Sequence, residues 1–125
     1  MEKKKILLVD DEQGFVEIVK PYLESRKYNV IVANNGKEAL EKVEENPDLI
    51  LLDIIMPGID GFEVLRRLRN NLRTRYIPVI MLTARGESKA ILKAQDLGTT
   101  DYIIKPFSLK ELLYLVKRYI LEDAW

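Results

Sequence analysis

Five short apolar runs alternate with amphipathic stretches along this chain, and no other feature of the sequence limits the fold as tightly. The runs lie at 6–9, 30–33, 49–52, 79–82 and 102–104 and are rich in Val, Ile and Leu. Runs of this length and composition suit strands buried on both faces of a parallel sheet. The residues between them recur with helical spacing. Phe15, Ile18, Val19, Tyr22 and Leu23 share one face, as do Leu65, Leu68 and Leu72; Leu109, Leu112, Leu113, Val116 and Ile120 form a third stripe. Punctuation agrees: Gly36 precedes the second helix, Gly98 stands where a helix ends, and Ser108 stands at an N-cap. Pro21 breaks the pattern, on the outer face of the first helix, where it removes one hydrogen bond. Five strand–helix repeats predict an α/β fold, a doubly wound five-stranded parallel sheet with right-handed crossovers and helices on both faces. With 125 residues, 47% of them hydrophobic, and no linker, repeat or low-complexity segment, residues 1–125 read as a single domain.

A sheet of this kind binds ligands beyond the carboxyl ends of its strands. Asp10, Asp11, Asp53, Thr83 and Lys105 each follow an apolar run, so the fold gathers side chains that the sequence scatters. What the chain lacks narrows their chemistry. It has no Cys and no His, which excludes disulfides, thiolate chemistry, a Ser-His-Asp triad and the usual zinc ligands. Net charge is zero, so no global field favours nucleic acid or membrane. No apolar run approaches the ~20 residues that span a bilayer, and the start Met-Glu-Lys-Lys-Lys is no signal peptide. A cytoplasmic protein is expected.

Four segments carry a family resemblance: Leu-Leu-Val-Asp-Asp-Glu (7–12), Asp-Ile-Ile-Met-Pro-Gly-Ile-Asp-Gly (53–61), Met-Leu-Thr-Ala (81–84) and Asp-Tyr-Ile-Ile-Lys-Pro-Phe (101–107). In order and spacing they resemble the CheY-like response-regulator receiver family over nearly the whole chain. The resemblance implies strand order 2-1-3-4-5, that of the family's chemotaxis regulator. It makes Asp53 the phosphoacceptor. Asp10, Asp11, Asp53 and the backbone carbonyl of Ile55 become ligands of Mg2+, with Mn2+ as a substitute. Thr83 and Lys105 become contacts of the phosphoryl oxygens, Tyr102 the aromatic switch, and Lys105–Pro106 a cis peptide. The implied partners are a histidine kinase or phosphotransfer protein and a downstream protein target or output domain, with no direct nucleic-acid or membrane binding. The expected readout surface is the fourth helix, fifth strand and fifth helix. Such a protein is not an enzyme beyond its own phosphorylation and slow dephosphorylation.

The chemistry supports these roles on its own terms. Crowded, buried carboxylates repel, and a hard divalent cation with oxygen ligands relieves them. Phosphoryl transfer depends mostly on positioning and charge neutralisation, and a carboxylate is a competent nucleophile. Taken singly, each residue has a plainer reading. Asp10 and Asp11 could cap a helix, Asp53 could open the turn at Pro57-Gly58, and Thr83 could be a satisfied strand end. Lys105 could be a surface lysine, and Tyr102 core packing. The joint pattern is what points to a receiver. Two rivals fail on particular residues. A haloacid-dehalogenase-type phosphatase needs a second acid two residues after its nucleophile, where this chain has Ile55. A flavodoxin-like carrier needs a hydroxyl- and Gly-rich phosphate loop, where Asp10-Asp11-Glu12 would repel the phosphate.

Some features fall outside that core. Gly58 and Gly61 read as loop-conformation residues. The arginines between 65 and 75 read as a solvated face. Ile55 and Arg85 flank the site and are candidates to tune phosphate lifetime. On the last helix Tyr114, Leu115 and Leu121 lie outside the buried stripe and suggest a partner or dimer patch, with Trp125 extending it. A phosphorylation-dependent homodimer is one expected assembly. Leu115, however, stands where receivers of winged-helix regulators place an Arg to pair with the acid at Asp101. Thr99-Thr100 also replaces the family's frequent Ala then Asp. The expectation is a stand-alone receiver; a domain of a longer regulator is the alternative.

Overall fold

A computed structural model describes residues 3–84 and 88–120. Its strands are β1 (Lys5–Val9), β2 (Asn29–Ala33), β3 (Leu49–Asp53), β4 (Val79–Ala84) and β5 (Asp101–Lys105). The α-helices are α1 (Gln13–Ser25), α2 (Gly36–Lys42), α3 (Gly61–Arg69), α4 (Ser88–Asp96) and α5 (Leu109–Tyr119). All pairings are parallel, in the order β2-β1-β3-β4-β5, as expected.

The three central strands bury nearly every side chain, because helices cover both sheet faces. Leu7, Val9, Ile50, Leu52 and Met81 pack with residues of α2, α3 and α4. Ile6, Leu8, Leu51, Ile80 and Leu82 pack with α1 and α5. Successive strand residues point to opposite faces, so one continuous apolar run feeds two cores.

The ends of the elements correct the sequence reading in a useful direction. Asp53 and Lys105 are the last residues of β3 and β5, and Thr83 lies inside β4. These side chains are therefore held by strand hydrogen bonding, and do not hang from loops beyond it. Gly36 opens α2, with Asn35 as the N-cap accepting from the Glu38 backbone N–H. Ser108 caps α5 in a reciprocal box with Glu111. Gly98 has φ +90° two residues past α4, a conformation suited to glycine.

Two apolar residues sit elsewhere than the helical stripes placed them. Ile18 is 62% exposed, and the buried face of α1 is Val16, Val19 and Leu23, with Phe15 and Tyr22 at its margins. Ile18 lies about 130° round the axis from that face. Leu72 is 78% exposed because α3 ends at Arg69 and the chain has already turned away. Pro21 is on the exposed side of α1, as its wheel position predicts.

Candidate functional site

The order of strands reverses beside β1: β2 lies on one side, β3 on the other. Ligand crevices form at such a point, beyond the carboxyl ends of the strands. Asp10 and Asp11 follow β1, Asp53 ends β3, and their carboxylates converge until one oxygen from each lies within 4.8 Å of the others. Asp10 is fully buried, Asp53 nearly so, and Asp11 exposed. Local geometry holds Asp10 in place: its Oδ1 accepts from the Glu12 backbone N–H at 2.9 Å.

Lys105 enters from β5. Its ammonium donates to Asp10 Oδ2 at 2.8 Å and lies 3.8 Å from both Asp53 Oδ1 and Glu12 Oε1. Among the described residues one cation thus faces four carboxylates, counting Asp11. The imbalance shows in Asp53, whose carboxyl is pushed up to about 6. Burial is the main cause and the charge of Asp10 the next; Lys105 opposes them, Asp11 adds to them, and a hydrogen bond from the Ile54 N–H opposes them. Burial pulls the Lys105 ammonium down, but its bond to Asp10 and the charges of Asp10, Asp53 and Glu12 outweigh burial, so it titrates above its ordinary value.

Thr83 completes the inner wall. It is buried, yet among the described residues its hydroxyl has only a 3.5 Å contact to the Ala84 carbonyl oxygen, at the limit of a hydrogen bond. Together with Asp11, Asp53, Ile55, Phe62 and Lys105 it lines a cleft of about 560 Å³. Ile55 stands at the mouth with its side chain exposed. The Lys105–Pro106 peptide is cis.

Sequence reasoning missed several parts of this site. Asp60 lines the same cleft and caps α3 by accepting from the Glu63 N–H at 2.9 Å. Gly61 is required because a Cβ there would lie 2.8 Å from Ile54 Cα and closer still to the Asp53 carbonyl oxygen. The close approach of α3 to the end of β3 therefore needs glycine for space, whereas Gly58 needs it for its φ of +79°. The signal available was the Asp-Gly pair at the start of an amphipathic stretch.

Away from the carboxylates, Tyr102 is half-buried on β5, packed against the α2–α4 core. It also borders a groove with Ile104, Lys110, Tyr114 and Leu115. Tyr114 is 67% exposed and Leu115 half-buried. Leu121, Trp125 and Arg85 lie outside the described residues. Asp101 accepts a hydrogen bond from the Tyr119 hydroxyl of its own chain. Of the arginines after Leu65, Arg66 and Arg67 pair with Glu63, and Arg73 with Glu44, all on the surface. Arg69 differs: half-buried, it donates to the Gly98 and Ile77 carbonyl oxygens at 2.7 and 2.9 Å.

A parallel 2-1-3-4-5 sheet with an acidic cluster and a lysine at its switch point is the architecture of a signalling receiver. The chain belongs to the response regulator receiver domain family, whose model matches residues 6–117. Over 114 residues it is 48% identical to the transcriptional regulatory protein ResD of Bacillus subtilis, covering 90% of this chain and 46% of that protein. It is 40% identical to the transcriptional regulatory protein CpxR of Escherichia coli, covering 97% of this chain and 51% of that one. The chain therefore spans about half the length of these relatives. Among solved structures, a putative response regulator from Chloroflexus aurantiacus superposes with a TM-score of 0.89 at 36% identity, covering 94% of this chain and 98% of that one. The chemotaxis protein CheY4 of Vibrio cholerae superposes with 0.88 at 30% identity, covering 94% and 99%. Among the described residues no helix is long and apolar enough to cross a membrane.

Proposed function

We propose that Asp53 accepts a phosphoryl group from the phosphohistidine of a histidine kinase or phosphotransfer protein, and that the modification switches the α4–β5–α5 surface. The convergence of three carboxylates and one ammonium at the end of β3 carries this reading. The donor set suits Mg2+ or Mn2+: all the available side-chain ligands are hard oxygens, and the chain has no His or Cys to favour a softer ion. Their convergence, one oxygen from each within 4.8 Å of the others, is what lets three carboxylates share one ion. Asp10, Asp11, Asp53 and the Ile55 backbone carbonyl would hold the ion, which supplies positive charge to the transferred group.

The chain's own residues do the rest. An Asp53 oxygen attacks phosphorus, the P–N bond of the donor breaks, and its electron pair stays on the imidazole, which takes a proton from water and leaves as neutral histidine. Asp53 must be ionised to attack, and its raised pKa means that cationic neighbours have to keep it so. Lys105 is 3.8 Å away and free to swing from Asp10 to a phosphoryl oxygen. Thr83, with so weak a contact, can turn its hydroxyl to another phosphoryl oxygen. That movement draws β4's end inward and shifts the population of Tyr102, at the edge of the Tyr114–Leu115 groove, toward a more buried conformer. The partner would be a downstream protein or output domain; the chain itself would bind neither nucleic acid nor membrane, would act in the cytoplasm, and would turn over no other substrate.

Intact mass after incubation with acetyl phosphate tests this. One phosphate adduct should form with Mg2+, and none with a chelator or in Asp53→Asn. A folded protein that takes no adduct under any condition would instead be a phosphorylation-independent binding module.

A further inference from the structure

Lys105 has an aromatic neighbour besides its carboxylates. Its ammonium sits over the ring of Phe15, 4.3 Å from the centroid. Phe15 comes from the first turn of α1, and its ring meets that of Phe107 edge-on, with centroids 5.8 Å apart and planes at 82°. Phe107 follows Lys105 by two residues, so the end of β5 and the β5–α5 connection supply these two neighbours of the ring. We propose that Phe15 is a positioning residue for phosphoryl transfer, a cation–π seat that keeps the Lys105 ammonium at the mouth of the acidic site while it changes anionic partner.

The physical need is plain. A lysine is a compact charge on a flexible four-carbon stem. Paired to Asp10 at 2.8 Å, it is 1.0 Å nearer that carboxylate than Asp53, so transfer to a phosphoryl oxygen requires it to leave its strongest bond. An aromatic face attracts the cation without a fixed direction and without hydrogen-bonding it. It therefore holds the ammonium over the site but lets it slide. A fifth carboxylate would hold it more tightly and compete with the phosphate. An aliphatic side chain of like volume would fill the space without holding the charge. The edge contact from Phe107 fixes the plane of the Phe15 ring, as such pairs do. Half-burial of Phe15 at the margin of the α1 core fits a side chain that packs with one part and faces the site with another.

This inference rests on the proposed phosphorylation of Asp53, and its test separates the two. Initial rates of acetyl phosphate uptake with Mg2+ are measured for wild type, Phe15→Leu, Phe15→Tyr, and protein carrying fluorinated phenylalanines of increasing fluorine number at position 15. Side-chain proton NMR of metal-free protein is recorded alongside. The seat predicts upfield ring-current shifts of the Lys105 Cε protons in wild type and Phe15→Tyr, lost in Phe15→Leu. It predicts a rate about three- to tenfold lower in Phe15→Leu. Phe15→Tyr should stay near wild type, and the rate should fall stepwise with fluorination, which weakens the ring quadrupole at nearly constant shape. Equal rates in wild type, Phe15→Leu and the fluorinated series would overturn the seat while leaving Asp53 phosphorylation intact. Absence of the ring-current shift in wild type would overturn it whatever the rates. No uptake by wild type would overturn the phosphorylation reading, and with it the role given to Phe15.

Discussion

The two edges of the sheet are built from the same residue types and treat them in opposite ways. Asp48 precedes β3 and Asp53 ends it. Asp48 accepts from the Lys5 backbone N–H at 2.8 Å, whereas Asp53 is crowded by two other carboxylates and titrates near 6. Thr100, just before β5, accepts from the Val79 N–H at 2.9 Å, and Thr99 Oγ1 lies 2.8 Å from the Asp101 carbonyl oxygen. Thr83, at the other edge, has among the described residues only its 3.5 Å contact. Arg69 spreads its guanidinium over the Gly98 and Ile77 carbonyls and, at 3.4 Å, the Thr100 hydroxyl; Lys105 must serve more carboxylates than it can neutralise. Satisfied polar groups stabilise the amino edge. Unbalanced ones at the carboxyl edge leave the energy of the site to be settled by whatever binds there, as perturbed groups at functional sites generally do.

The sharpest way to break the comparison is to remove each edge's cation. Lys105→Met leaves the fully buried Asp10 without its partner and should cost the metal-free protein about 3 kcal/mol in urea unfolding. The initial rate of phosphate uptake should fall roughly a hundredfold. Arg69→Met should cost about 2 kcal/mol by leaving two carbonyls poorly satisfied, with uptake within about twofold of wild type. If Arg69→Met slowed uptake as much as Lys105→Met, the two edges would not be separable.

Removing charge at the acidic edge should have the opposite sign. A folded carboxyl at about 6 against 3.8 binds its proton more tightly in the folded state. Its contribution to stability is therefore present below pH 3.8 and is lost as pH rises through about 6. Asp53→Asn escapes that loss. Metal-free Asp53→Asn should be about 1–2 kcal/mol more stable than wild type at pH 7, after a reduction for solvent screening, with the gain vanishing near pH 4. Thermal melts at the two pH values measure it, and a destabilised Asp53→Asn at pH 7 would contradict the charge imbalance. The smallest contrast lies in the threonines. Thr100→Val should cost about 1 kcal/mol, and Thr83→Val about half that or less, read from denaturant midpoints.

Much of this was legible in the sequence because it depends on residue order. Buried strands need continuous apolar runs, and their ends place Asp10, Asp11, Asp53, Thr83 and Lys105 on one edge once the sheet is parallel. The strand order itself came from family resemblance, since apolar runs do not say which neighbours pair. What escaped was set by tertiary packing. The helical spacing put Ile18 on the core face of α1 and passed over Val16, whereas α1 packs on the sheet through Val16, Val19 and Leu23. Leu72 continued the α3 spacing on paper, but the chain had already turned through Asn71 and Thr74, where Thr74 donates to the Leu68 carbonyl oxygen at 2.6 Å. Thr99 and Thr100 looked like a mild departure and prove to tie β5 to the start of β4. Phe15 read as a core residue because spacing reports the side a ring faces, not the lysine that comes to rest on it.

The most direct test is to locate the modification. Protein treated with acetyl phosphate and Mg2+ is reduced with borohydride, which converts an aspartyl phosphate to homoserine, and its peptides are sequenced by mass spectrometry. The account predicts homoserine at position 53 alone, with Asp10, Asp11 and Asp60 unchanged. Homoserine at any of those three with Asp53 intact would contradict it.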